Sequence, residues 1–382
     1  MGFVHEAETY RVLNREVFLL IALAVGGIGV FAFTRSMAAR EQQMEARIAA
    51  IWYREGERQL SSGEVDRAID SFRKATTNAA GSRTYALGLA NALASGNHDA
   101  EARQILLRLR ESDPEDAEIN LDLARLASKG GEIPDAVRYY QNALYGRWTG
   151  SQGDEWKRQL RIELIRFLLD HHEPNMALSE LLILESDLPE SAAAHVQAAQ
   201  LFRAAGDVQH GLKNYVEAAQ VDPKNVEALT GAGEAAFQLQ DYVKANQYLE
   251  SALELNPKSE RTRQLLLGTE MVLSDDPLAL HLTKEERQRR LILGFGQSLL
   301  RLESCLSQTS DNKAIAELRS LKDEALAMES QLHSRRPPDS ELAKSVVELI
   351  YRIEKAASDA CGESEGLDRA LLLIGLKHGG TE

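Results

Sequence analysis

The chain has 382 residues, a formal net charge of −14, 44% hydrophobic residues and two cysteines. This balance is typical of a folded protein and excludes wholesale disorder, and an acidic chain is poorly suited to bind the phosphates of nucleic acids. The cysteine count excludes a four-thiolate zinc site and a disulfide scaffold.

The first predicted elements are an N-terminal tail over residues 1–16 and a transmembrane anchor over residues 17–34. The anchor carries no charged residue, and as a helix it extends about 27 Å, close to the ~30 Å hydrocarbon core of a bilayer. A cleaved signal peptide has a shorter apolar region that ends at a small-residue site, whereas this run ends in Phe31, Phe33 and Arg35. We therefore expect an uncleaved, single-pass anchor in the cell (inner) membrane.

Two further features concern this anchor. Ala22, Gly26 and Gly29 form a stripe of small residues on which another membrane helix could pack, although glycine is also common in membrane helices. Residues 35–48 are rich in Ala, Glu, Gln, Arg and Met, which favour helix. They predict a stiff helical stalk that continues the anchor into the rest of the protein.

A repeated pattern follows, spaced by 34 residues except for one spacing of 41. Each unit has a small residue at the start of its second helix: Ala68, Ala102, Ala136, Ala177, Gly211 and Ala245. A large apolar residue comes four positions later: Phe72, Leu106, Tyr140, Leu181, Tyr215 and Leu249. Small residues allow close helix packing, and the large residue fills the groove between helices.

This pattern resembles the tetratricopeptide repeat (TPR) family, in particular membrane-anchored bacterial members with an N-terminal transmembrane helix. The resemblance implies an all-α fold with a TPR α-solenoid of about six helix-turn-helix repeats. We expect the solenoid and its capping helix to occupy residues 49–274. The aromatic residue of the family's first helix is present as Trp52 and mostly absent from later units.

The resemblance also implies that the first helices line a protein-binding groove. Family positions place these side chains in it: Asn91, Arg125, Arg166, Gln200, Arg203 and Phe237. Arginine is suited to bidentate binding of carboxylates in acidic peptides. The alternative is a solvated face on which the arginines pair with nearby glutamates. The lysines of the family's two-carboxylate clamp are absent, so capture of a chaperone C-terminus is not expected.

Seven extra residues fall between the third and fourth units, within residues 145–156. This loop contains Trp148 and Trp156, and exposed tryptophan is favoured at binding hot spots. The loop is therefore a candidate partner contact. It is equally interpretable as a plug that packs Trp148 under a neighbouring helix.

Residues 275–382 predict a C-terminal bundle of three or four helices. Thr283, with Glu286 three positions later, is typical of a helix N-terminus. The apolar run over residues 371–376 is too short to span a membrane and is expected to dock on the bundle or on a partner. Cys305 and Cys361 lie near predicted helix ends, so a disulfide and two free thiols both remain open.

No phosphate-binding loop, haem motif, metal-ligand pattern or nucleophile–base pair is evident, so we expect neither an enzyme nor a cofactor nor a small-molecule substrate. The expected function is a membrane-anchored scaffold that binds other proteins as a subunit or assembly factor of a membrane complex. It would contact lipid through residues 17–34, with its body slightly favoured on the extracytoplasmic face. The alternatives are a transient receptor or chaperone-like factor for exported or unfolded clients, and an enzyme or regulator with a site in residues 275–382.

Overall fold

The computed structural model describes residues 3–148, 154–332 and 338–379, without the side chains of residues 3–22, 24, 25 and 154. In these residues the chain forms seventeen helices and no strand. The predicted all-α fold is therefore confirmed for this part of the chain. The chain divides into two compact units, Met1–Phe167 and Leu168–Glu382.

The helices of the first unit follow the predicted repeat order. They are α1 (Phe3–Ser61), α2 (Val65–Asn78), α3 (Arg83–Ser95), α4 (Asp99–Ser112), α5 (Ala117–Lys129), α6 (Ile133–Tyr145) and α7 (Asp154–Asp170), whose end crosses into the second unit. Consecutive helices from α1 to α6 pack against each other.

The second unit contains the later repeats, the capping helix and the bundle. Its helices are α8 (Pro174–Ser186), α9 (Ala192–Ala204), α10 (Val208–Val221), α11 (Val226–Gln238), α12 (Tyr242–Leu255), α13 (Glu260–Asp275), α14 (Lys284–Gln308), α15 (Asn312–Leu332), α16 (Ser340–Cys361) and α17 (Gly366–Lys377).

Helix α1 contains residues from the predicted tail, anchor and stalk and the first helix of the first repeat. Near its end it packs against α2 and α3, and Ala49 is fully buried. Among the described residues, no helix has a stretch that is both long and apolar enough to cross a bilayer. Of the predicted anchor, the side chains of residues 17–22, 24 and 25 lie outside the described part.

The small and large residues of the repeat form the core in the way the pattern predicts. The five aligned alanines have no exposed surface, and the Gly211 backbone is buried with Arg203 beside it. The six aligned large residues, from Phe72 to Leu249, are at most 3% exposed. Since these positions come from every unit, the helix packing of the repeat is confirmed.

The C-terminal segment forms the predicted bundle. Helix α14 begins after Thr283, whose hydroxyl accepts a hydrogen bond from the Glu286 amide at 3.1 Å, so the predicted helix start is confirmed. Helices α14, α15 and α16 pack on one another, and α17 docks on α13, α14 and α16. Cys305 and Cys361 are joined in a disulfide, with their Cα atoms 5.7 Å apart.

One core joins the last repeat to the bundle. Tyr242 of α12 and Val272 of α13 belong to the same buried cluster as Leu291 and Phe295 of α14. At the end of α13, the buried Asp276 carboxylate accepts hydrogen bonds from Lys377 at 2.8 Å and from His378 at 2.9 Å. Because both helix ends meet at Asp276, α13 and α17 run in the same direction.

Candidate protein-binding groove

Arg125 of α5 lies on the first-helix face, where it is tied to the next first helix. Its guanidinium donates two hydrogen bonds to Glu163 of α7, at 2.9 and 3.0 Å, and the Tyr140 hydroxyl donates a third to the same carboxylate at 2.9 Å. Burial raises the pKa of Glu163, but the bonds from Arg125 and Tyr140 outweigh it and hold the pKa below its usual value. Arg125 is therefore engaged within the repeats, in keeping with the paired alternative.

Arg203 and Gln200 of α9 make the same type of contact in the second unit. Arg203 lies 3.1 Å from Glu234 of α11, and the Gln200 amide donates to Glu227 at 2.6 Å. Arg261, at the start of α13, also pairs with Glu234, at 2.9 Å. A mostly buried carboxylate thus lies between two arginines from successive elements, which fixes the first-helix face of this unit.

Asn91 and Arg166 differ from the other predicted groove residues. Both are exposed, and in the part of the chain that the structure describes neither side chain has an ion pair or hydrogen-bond partner. The structure thus brings Arg203, Gln200 and Phe237 to one face of the second unit, while Asn91, Arg125 and Arg166 lie in the first.

Phe237 lines a cavity of about 580 Å³ in the second unit. Its ring stands edge-on to Tyr242, with centroids 5.4 Å apart. The remaining walls come from α13 and from the start of α17, and their residues are mainly apolar: Arg261, Gln264, Leu265, Leu267, Gly268, Met271, Glu365, Gly366, Arg369, Ala370 and Leu373. The cavity therefore opens where the first halves of α13 and α17 separate, at the opposite end from the Asp276 contacts.

This cavity was not predicted from the sequence, apart from Phe237. The apolar run in α17 did predict docking, but no sequence signal identified α13 as its partner. Gly268 marks the space best, because a Cβ atom placed there would meet no other atom within 4 Å. The face of α13 that lines the cavity is therefore partly empty, and Leu267 beside it is 48% exposed.

The two tryptophans of the inserted loop contact each other. Their ring centroids are 3.8 Å apart, and the Trp148 indole donates a hydrogen bond to the Ala143 carbonyl at 2.9 Å. Both side chains are partly buried. This arrangement corresponds to the packing interpretation of the loop, whose residues 149–153 lie outside the described part.

The predicted small-residue stripe on α1 is described only in part. Gly26 and Gly29 are exposed, with nothing within 4 Å of an added Cβ atom. The Ala22 side chain lies outside the described residues. Within those residues no group of three His, Cys, Asp or Glu side chains is placed to hold a metal ion.

Two segments of the chain match family models described as tetratricopeptide repeat: residues 59–126 and residues 196–260. These matches confirm the predicted repeats in both units, and the class of protein is therefore one that contains TPRs. Tetratricopeptide repeats mediate protein–protein interactions. No curated protein matches this sequence significantly.

Several solved structures are similar to the chain in fold. YrrB, a TPR protein with an unusual peptide-binding site, is 19% identical over 51% of this chain and 97% of its own, with a TM-score of 0.38. The C-terminal part of a TPR repeat-containing protein from Cytophaga hutchinsonii is 15% identical over 62% and 97%, with a TM-score of 0.45. PilF of Pseudomonas aeruginosa is 16% identical over 57% and 96%, with a TM-score of 0.38. We infer nothing about function from these similarities.

Proposed function

We propose that the protein is a membrane-anchored TPR scaffold that holds a segment of another protein in the cavity beside Phe237. It would act as a subunit or assembly factor of a membrane complex. The observation that carries the proposal is the cavity itself, which is open, largely apolar and built from a repeat helix, the capping helix and α17.

The lining favours an apolar side chain of the partner. Phe237, Leu265, Leu267, Met271 and Leu373 supply most of the wall. Burial of one leucine- or phenylalanine-sized side chain contributes about 1.5–3 kcal/mol. A partner segment with one or two such side chains fits both the size and the chemistry of the cavity.

The rim favours an acidic residue next to that side chain. Arg369 is exposed and makes no side-chain hydrogen bond or ion pair within the described residues. Arg261, across the cavity, is 75% exposed and shares Glu234 with Arg203. A carboxylate on the partner would find a bidentate donor in Arg369. We therefore propose a partner segment with an acidic residue beside its apolar anchor.

The membrane placement rests on two other features. Residues 17–34 carry no charged side chain, which supports an anchor in the bilayer. The Cys305–Cys361 disulfide supports a body outside the cytoplasm, because such bonds persist in oxidising compartments.

The chaperone-like alternative has less support. It depends on arginines that attract clients, and two of the three candidates are already bonded to glutamates: Arg125 to Glu163 and Arg203 to Glu234. The apolar cavity does not need those arginines to be free.

The experiment places a photo-crosslinking amino acid at position 267 of the full chain in native membranes and identifies the cross-linked peptide by mass spectrometry. The identified segment is then titrated onto the purified full-length protein. We expect Gly268→Leu to weaken its affinity about ten-fold or more, because the new side chain occupies the apolar cavity.

Gly296→Leu is the matched control. Gly296 is also a helical glycine of the second unit with nothing within 4 Å of an added Cβ atom, but it lies in α14 away from the cavity. Equal affinity of the two variants, or cross-links at position 267 that reach only lipid, would contradict the proposed function.

A further inference from the structure

Helix α1 carries an exposed line of apolar residues at intervals of seven. Val30, Met37, Met44 and Ile51 are 66%, 58%, 64% and 58% exposed. Leu23 extends the same line toward the N-terminus and is 72% exposed. An apolar residue at every seventh position is the spacing of a coiled-coil seam.

This line lies on the face of α1 that the repeats leave uncovered. Ala49, Tyr53 and Gly56 contact or face α2 and α3, with Tyr53 packed against Phe72 and Tyr85. At 100° per residue, Ile51 points about 140–160° away from these three residues. A second helix could therefore follow the line past the start of the first repeat without displacing α2.

The seven-residue interval also distinguishes this line from an ordinary amphipathic face. A straight α-helix drifts about 20° for each seven residues, so a strict heptad line stays in contact with a neighbour only if two helices supercoil. Residues 30–51 keep the interval through four successive positions. The line is therefore matched to another long helix rather than to a flat surface.

The charges beside the line identify which helix fits. Arg40, Arg47 and Arg54 each lie three residues after an apolar position, and Glu41 and Glu55 each lie four residues after one. The line therefore has a basic flank and an acidic flank. In a parallel pair related by a two-fold axis, the basic flank of one helix faces the acidic flank of the other, as in e/g pairing.

We propose that the stalk of α1 forms a parallel coiled coil with a second copy of this chain. Val30, Met37, Met44 and Ile51 form the seam, Ile48 widens it, and Arg40 of each copy faces Glu41 of the other. The glycines at positions 26 and 27 flank Leu23 where the line continues toward the N-terminus. They allow the two helices to remain close there.

This pairing is independent of the cavity beside Phe237. It predicts that two bodies are carried on one stalk, so that two partner segments are bound side by side. Gly268→Leu therefore leaves the pairing intact, and loss of the pairing leaves the cavity intact.

The first test uses cysteine cross-linking of the full chain in membranes with a mild copper oxidant. Met44→Cys places two thiols together across the two-fold axis, so we expect a disulfide-linked dimer. Ala46→Cys is the matched control, because Ala46 is exposed and lies about 160° away around the helix. We expect the dimer fraction of Met44→Cys to exceed that of Ala46→Cys about ten-fold.

The second test reverses charges and measures dimer dissociation by sedimentation in detergent. Arg40→Glu and Glu41→Arg each place like charges opposite each other, and each should raise the dissociation constant about ten-fold. The double variant exchanges the two flanks and should return to within about two-fold of the native value. Equal cross-linking at positions 44 and 46, a double variant weaker than both single variants, or a Met44→Cys cross-link to a different protein would overturn the proposal.

Discussion

The repeats and the C-terminal bundle are both helical, but they are stabilised in different ways. The repeats use the same contact again and again, a small residue such as Ala102 buried beneath a large one such as Leu106. The bundle depends on a few contacts that occur once each. These are the Cys305–Cys361 disulfide, the Asp276 ion cluster and the buried Glu354. A single substitution should therefore matter more in the bundle than on the surface of the repeats.

Glu354 is the least expected of these features. It is fully buried in α16, and neither of its carboxylate oxygens has a hydrogen-bond partner in the described residues. Burial raises its pKa to about 8, the nearby Asp368 carboxylate raises it further, and Arg301 and Ser364 oppose the shift. The side chain is thus neutral in the folded protein at moderate pH.

The largest effect is expected from removal of the disulfide. The cysteines are separated by 56 residues, and a cross-link of that span lowers the entropy of the unfolded chain by an amount worth about 4 kcal/mol. Cys305→Ala combined with Cys361→Ala should lower the free energy of unfolding of the second unit by roughly that amount.

The measurement is urea unfolding followed by circular dichroism and by tryptophan fluorescence. The chain has three tryptophans, all in the first unit, so fluorescence reports that unit. We expect the circular dichroism transition to shift and the fluorescence transition to stay in place. Reductant should shift the native protein in the same way and leave the double variant unchanged. Unaltered circular dichroism unfolding would show that the bundle does not depend on this bond.

The next effect is pH-dependent and comes from Glu354. Since its pKa is raised to about 8, the folded protein keeps a proton that the unfolded chain releases above its ordinary value of 4.5. The stability associated with this proton is fully present below about pH 4.5 and is lost as the pH rises to about 8. Glu354→Gln should therefore stabilise the second unit by about 3 kcal/mol at pH 8.5 and have little effect at pH 4.5.

Unfolding of both proteins at these two pH values isolates the effect, because all other titrating groups are shared. Glu348→Gln, on the same helix, is the control, since Glu348 is exposed. A difference between native and Glu354→Gln proteins that does not change with pH would show that the carboxyl group is already ionised.

A smaller effect is expected at Asp276. Burial raises its pKa, but hydrogen bonds from His378 and Lys377 outweigh burial and hold the pKa below its usual value. Asp276→Asn should lower the free energy of unfolding by about 2 kcal/mol at pH 7. The lowered pKa means that this contribution is present above the unfolded value near 4 and is lost as the pH falls through the folded value. Thermal unfolding at pH 7 and pH 3 should show the difference in the first case and little in the second.

The smallest effect is expected on the repeat surface. Arg125 is 54% exposed, and exposed ion pairs contribute up to about 1 kcal/mol. Arg125→Gln should therefore lower the free energy of unfolding of the first unit by less than about 1 kcal/mol, and less still in high salt. Arg166→Gln, on the next first helix, should have no measurable effect. A loss at Arg125 larger than that at Asp276 would reverse the contrast between repeats and bundle.

The repeats could be predicted because their information is local and periodic. A buried alanine every 34 residues fixed the second helices, and Thr283 and the Asp275–Pro277 break fixed the ends of elements in the bundle. Whether the groove arginines are paired could not be decided, because the partner of Arg125 is 38 residues away on another helix. The cavity was missed for the same reason, since Phe237, Leu267 and Arg369 meet only after α17 folds back on α13.

The core shared by Tyr242 and Val272 with the bundle has a consequence for how the array ends. A stack of repeats has an apolar end that must be covered, and here residues of α14, such as Leu291 and Phe295, complete the cluster that covers it. A fragment that stops at residue 274 would expose this end and should associate or aggregate. A seventh repeat could not be inserted before α13 without rebuilding the cluster. The bundle is therefore the stop that sets the number of repeats.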